Sequence, residues 1–159
     1  MIIKEYDDRY FTTEYDYDTD SYFDRHRSLT CTAEVVIYIY MDEYLKELDD
    51  KYEAGIISED EYYEEFDNIF DSITDVLNSN LGDELKRIDI TDGDFEGSRC
   101  IVVEADTEGS YTANNNDEVI DRFFTIENVD IEQILVDNLP TIGNYIEKVE
   151  MDIDNIEYN

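Results

Sequence analysis

Tryptophan is absent, and the 159 residues include one proline, one histidine, two cysteines and six glycines. Lysine and arginine number 11 against 44 aspartates and glutamates, for a formal net charge of −33. Each scarcity excludes something. With so few cations, no basic surface for nucleic acid or an anionic membrane can be assembled, so neither is expected as a direct partner. Two cysteines and His26 cannot complete a four-ligand structural zinc site without carboxylates. Cys31 and Cys100 each sit in an apolar, strand-like run. They are expected as buried reduced thiols of a cytoplasmic protein, with a single disulfide as the alternative. No apolar run reaches the roughly 18 residues of a transmembrane helix, and "MIIKEYDDRYF" turns acidic too early for a secretory signal.

Catalytic and cofactor motifs are scarce too. No glycine-rich loop suited to cradling phosphate appears. His26 stands in the basic triplet "RHR" and reads as an exposed loop residue. Among 44 acids, no carboxylate pair stands out for acid–base work. The expectation is a protein that is not an enzyme and has no catalytic residue, cofactor or metal site.

What is present is enough for a core. The chain is 42% hydrophobic and 13% aromatic, which argues against wholesale disorder despite the charge. The length suits one domain spanning residues 1–159. "RYFTTEYDYD" (9–18) alternates like a strand, with Phe11, Thr13, Tyr15 and Tyr17 on one face. "LTCTAEVVIYIY" (29–40) is dense in β-branched and aromatic residues and is expected as a central strand. "LKRIDIT" and "SRCIVVEAD" read as strands around the turn "DGDFEG", and "EGSYTANNND" as a polar loop. "VIDRFFTIE" (119–127) is a further strand, and "VDIEQILVDNLP" a short helix with Asp130 as N-cap. "YIEKVEMDIDNIEY" alternates again, with Val149, Met151 and Ile153 opposite Lys148, Glu150, Asp152 and Asp154. The expected fold is α+β: a mostly antiparallel sheet of about six strands, order ββααβββαβ, with helices covering one face. A helical hairpin (41–81) is inserted between strands.

In that hairpin Met41, Tyr44, Leu45, Leu48 and Tyr52 recur at helical spacing before Gly55. Ser58 and Glu61 form a capping-box signature. Tyr62, Phe66, Ile69, Phe70, Ile73, Val76 and Leu77 then make one apolar stripe, and Gly82 closes it. Residues 48–69, with Gly55, Ile56, Ile57, Ser58, Glu61 and Tyr62, resemble a short helical hairpin common at the ends of bacterial and phage proteins. That resemblance implies two antiparallel helices and no particular activity.

The acids carry the functional question. "DYDTDSYFD" (16–24) places Asp16, Asp18, Asp20 and Asp24 where a calcium loop needs oxygens. Its sixth position is Ser21 rather than glycine, and its twelfth is Arg27 rather than glutamate. It reads better as the end of an edge strand with aspartates outward. From Tyr52 to Leu85 there is no lysine or arginine. Within that span Asp60, Glu64, Asp67, Asp71 and Asp75 follow i, i+4, i+7, i+11 and i+15, opposite the apolar stripe. An ordinary solvated helix interleaves signs, because i,i+4 pairs of opposite charge stabilise it and like pairs do not.

Such spacing, along a strand or a helix, is close to that of successive phosphates on a nucleic-acid strand. In size, acidity, Tyr/Asp/Glu richness and lack of catalytic motifs, the chain resembles the DNA-mimic anti-defence proteins of phages and mobile elements. That class includes anti-CRISPR and anti-restriction inhibitors. The resemblance implies a cytoplasmic inhibitor, in the host cell if phage-encoded, whose partner is the basic groove of a nucleic-acid-binding protein. The candidate contact residues are Glu14, Asp16, Asp18, Asp20, Asp60, Glu64, Asp67 and Asp71. Tyr22 and Tyr63 are candidates for added contact area, with core packing as their alternative. A homodimer is compatible with this reading. The rival readings are an immunity protein that neutralises a basic toxin, and an acidic domain adapted to high salt or to binding cations.

Overall fold

The computed structural model describes residues 27–116 and 118–158. These residues form strand β1 (Arg27–Tyr40), helices α1 (Asp42–Glu53) and α2 (Glu59–Leu81), and strands β2 (Lys86–Phe95), β3 (Ser98–Ala113) and β4 (Val119–Phe124). Helix α3 (Ile131–Asn138) and strand β5 (Lys148–Tyr158) follow, with 3-10 turns at Thr125–Asn128 and Ile142–Tyr145. The fold is mixed α and β with a mostly antiparallel sheet. Five strands are described rather than six, and the expected strand at 9–18 lies outside the described residues.

Contacts divide the chain into two compact units. The larger comprises Thr32–Glu108 and Phe124–Glu157. Its strands run in the order β2-β3-β1-β5, and α1, α2 and α3 belong to it. Along β1, Ala33, Val35, Ile37 and Ile39 are buried, as are Ile101, Val103 and Ala105 of β3. Helix α2 contributes Phe66, Ile69, Ile73, Val76, Leu77 and Leu81 to the same core, and α1 contributes Leu45. Burial of each such side chain is worth about 1.5–3 kcal/mol. The expected apolar stripe is thus the buried face of α2, although Tyr62 and Phe70 are only half-buried.

The ends of the helices follow from particular residues. Helix α1 stops in a Schellman turn, where Gly55 N–H donates to Tyr52 O (3.1 Å) and Ile56 N–H to Lys51 O (2.9 Å). Gly55 takes φ +76° there, a conformation that L side chains resist. Helix α2 starts in the expected capping box: Glu61 N–H donates to Ser58 Oγ (3.1 Å), and Ser58 N–H to Glu61 Oε1 (2.9 Å). Ser58→Ala should therefore cost about 1 kcal/mol in urea denaturation. An unchanged midpoint would show that the core alone holds this end. Asp130 caps α3 as expected, accepting from Gln133 N–H at 3.1 Å.

Three boundaries differ from expectation. The β2–β3 turn is only Glu96–Gly97, with both residues at positive φ (53° and 85°), and Phe95 pairs with Ser98. That is the two-residue hairpin whose twist matches the strands. The ladder runs through Asp92–Phe95, residues whose turn-like composition suggested a wider loop. Strand β3 continues to Ala113 because Tyr111 and Ala113 still alternate into buried positions. Strand β4 ends at Phe124, where Glu127 Oε1 accepts the Phe124 N–H and the chain enters a 3-10 turn.

The smaller unit holds, among described residues, 27–31, most of 109–123, and Tyr158. Here β4 pairs with β3. Asn114 Oδ1 accepts the N–H groups of Asn116 and Glu118 at the turn. Tyr158 meets the Tyr111 ring edge-on at 4.7 Å and accepts from Arg122 Nη1. No helix among the described residues is long and apolar enough to cross a membrane.

Candidate acidic binding surface

Helix α2 has 23 residues without glycine or proline, and its buried stripe fixes which side faces outward. On that side Asp60, Glu64, Asp67, Asp71 and Asp75 are all exposed. At 1.5 Å per residue the row extends about 22 Å from Asp60 to Asp75. Among the residues whose side chains are described, no cation pairs with any of the five. Lys46 pairs with Asp42 and Lys51 with Glu47, each within α1. Arg87 binds Asp106, and Lys148 pairs with Glu150. Lys86 Nζ donates to the Gly82 carbonyl, and Arg122 to Tyr158. Arg99 is held by Asp49 and by Asp92 (3.0 Å).

Glu59, Asp60 and Glu61 lie in the first turn, where the macrodipole favours acids, but no basic residue answers in the last turn. The stripe therefore stands on a helix secured by its cap and core rather than by its own surface charges.

Of the residues expected at the site, Asp60, Glu64, Asp67 and Asp71 are brought together on this face. Tyr63 lies at the surface, 55% exposed, with its ring edge-on to Tyr62 at 5.4 Å. Glu14, Asp16, Asp18, Asp20 and Tyr22 lie outside the described residues.

A second acidic face was missed. Opposite the helices, the sheet of the larger unit presents Glu34 on β1, Asp89 on β2, Glu104 and Glu108 on β3, and Glu150 and Asp152 on β5, all exposed. The β2–β3 register places Asp89 directly beside Glu104. The alternation of Glu104, Asp106 and Glu108 was the available signal. The polar run that begins at Glu108 resembles a loop and obscures it.

Several tyrosines fasten carboxylates to the body. Tyr62 Oη donates to Asp49 Oδ1 (2.6 Å), Tyr44 Oη to Glu65 Oε2 (2.5 Å), and Tyr40 Oη to Glu150 Oε1 (3.0 Å). Burial and these carboxylates push Tyr40 and Tyr62 up to about 12, and Tyr44 higher still. The fold thus favours the neutral phenols. Their contribution is complete below the ordinary tyrosine value of 10.0 and is lost as pH rises towards 12. The urea midpoint should fall steeply over that window, and Tyr62→Phe should flatten part of the fall. A midpoint constant to pH 12 would contradict the assignment.

Cys31 and Cys100 are buried and unbridged, and burial pushes both thiols up, away from the reactive thiolate. Among described residues, no group of three His, Cys, Asp or Glu side chains could hold a metal ion. Comparison with known proteins finds no matching family model, no matching curated protein and no matching solved structure.

Proposed function

We propose that the protein inhibits a nucleic-acid-binding defence enzyme, such as a CRISPR effector or a restriction–modification enzyme. It acts as an acidic DNA mimic that occupies the enzyme's phosphate-binding groove. The observation that supports this reading is the row of five exposed carboxylates on α2, with the cations whose side chains are described engaged elsewhere. A surface needed only for solubility requires a net charge of magnitude about 2–8, not −33. Carboxylates held on a rigid helix reproduce the charge of a phosphate row without its chemistry, so the enzyme can bind but not cut. The summed field steers a basic groove towards the helix and speeds capture. The protein has no catalytic step of its own in this account.

The test is capture from host lysate on immobilised protein, with the salt varied. The captured protein should be a nucleic-acid-binding enzyme, and its retention should fall steeply from about 0.15 to about 0.5 M NaCl as charges are screened. Retention undiminished at the higher salt would contradict an electrostatic mimic.

A further inference from the structure

The open face of the sheet carries more than acid. Tyr38 and Tyr40 project from alternate positions of β1, with ring centroids 6.4 Å apart. Phe95 stacks on Tyr38 with centroids 4.7 Å apart and an interplanar angle of 28°. Gly93, two residues earlier on β2 and so on the same face, leaves room there, and a Cβ on it would meet only the Val102 side chain at 3.4 Å. Phe95 remains 38% exposed and Tyr38 half-buried. Two exposed carboxylates flank the rings: Glu96 follows Phe95 at the hairpin turn, and Glu150 accepts from Tyr40.

One cation already sits on this face. Lys148 Nζ lies 4.8 Å from the centre of the Tyr40 ring and 3.3 Å from Glu150 Oε2, while Tyr40 donates to the other carboxylate oxygen. The face thus contains a working seat for a cation: a ring below, a carboxylate beside. The Tyr38–Phe95 pair repeats the ring half of that seat, and among the described residues no cation lies over it.

We propose that this face docks an arginine-rich segment of a protein partner, with a guanidinium stacked on Tyr38 and Phe95 and held by the flanking carboxylates. Arginine suits the seat better than lysine. Its planar group stacks on rings and forks onto a carboxylate at the same time, and it sheds water more readily. This surface lies on the opposite side of the sheet from α2. The protein would therefore meet its partner on two sides, as a nucleic acid does inside an enclosing channel. The inference rests on the proposed function only for the sign of the partner's charge.

The test titrates nona-arginine and nona-lysine peptides into the full chain, with affinity read by fluorescence anisotropy and ring resonances by NMR. Nona-arginine should bind more tightly and shift the Tyr38 and Phe95 rings. Phe95→Leu, at a hairpin end outside the core, should weaken nona-arginine by about three-fold and leave nona-lysine unchanged. Asp71→Asn on α2 should leave the ring shifts in place. Equal affinity for both peptides, with Phe95→Leu silent, would overturn the proposal in favour of unspecific attraction to acid. Ring shifts on concentrating the protein alone would overturn it in favour of a second copy. If no defence enzyme is captured but the peptide results hold, the enzyme reading fails and the docking surface stands.

Discussion

Replacing Arg99 by methionine should lower the stability of the protein by about 3 kcal/mol, a drop in melting temperature of about 10 °C. Among the arginines whose side chains are described, Arg99 alone is nearly enclosed, at 12% exposure. Its guanidinium binds Asp49 on α1 and Asp92 across the β2–β3 hairpin, and lies 6.0 Å from the centre of the Phe66 ring on α2. Its backbone N–H donates to Asp42 Oδ1 at 2.7 Å, and its carbonyl accepts from Met41 N–H. That N–H, with the Lys46 ammonium beside it, holds the Asp42 carboxyl below the usual carboxylate range.

Burial works against the charge on Arg99, but the Asp49 and Asp92 carboxylates more than compensate and hold its pKa above the ordinary value. Removing the cation leaves Asp49 and Asp92 facing each other inside a body already self-repelling. Arg99→Lys should recover less than half the loss, because an ammonium cannot fork to both carboxylates. Asp49→Asn added to Arg99→Met should cost less than the sum of the two single changes, since both act through one contact. A loss under about 1 kcal/mol for Arg99→Met would show that the hairpin is held by apolar packing alone.

The second large effect concerns the row on α2. Charge reversal at Asp60, Glu64, Asp67 and Asp71 to lysine should weaken capture of the target by about 100-fold or more. The neutral set, with asparagine and glutamine at these four positions, should fall between the reversed and native proteins. Neither set should lower the melting temperature by much. These side chains have no described partners to lose, and like-charge pairs at i,i+4 such as Asp60 and Glu64 are mildly destabilising. The combination of lost binding and kept stability separates this account from one in which the acids merely support the fold. Reversed protein that still captures its target at native strength would remove α2 from the interface.

The helical hairpin was legible because each of its signals is local. The Ser58–Glu61 box, Gly55 and the apolar period of α2 act over a few residues, and nothing distant overrides them. Strand limits were harder. Asp92 and Asp94 look like turn residues, yet the distant Arg99 and the β3 ladder draw them into a strand. Tyr111 and Ala113 sit in a polar stretch whose burial depends on neighbours from elsewhere in the chain.

The same distinction governs the candidate site. The α2 row is a property of one helix and could be counted along the chain. The sheet's open face draws on four strands, so its acids became neighbours only on folding. No local pattern announces that Phe95 will stack on Tyr38. The Arg99 cluster was missed for the same reason, as its partners lie 7 and 50 residues away.

The most direct test of DNA mimicry is competition on the captured enzyme. Its affinity for a labelled cognate duplex would be measured while the acidic protein is titrated to saturation. The account predicts mutual exclusion: the apparent Kd for DNA rises in proportion to the acidic protein added, and excess duplex releases the protein in turn. An enzyme that binds its duplex with unchanged affinity while saturated with the protein would contradict it.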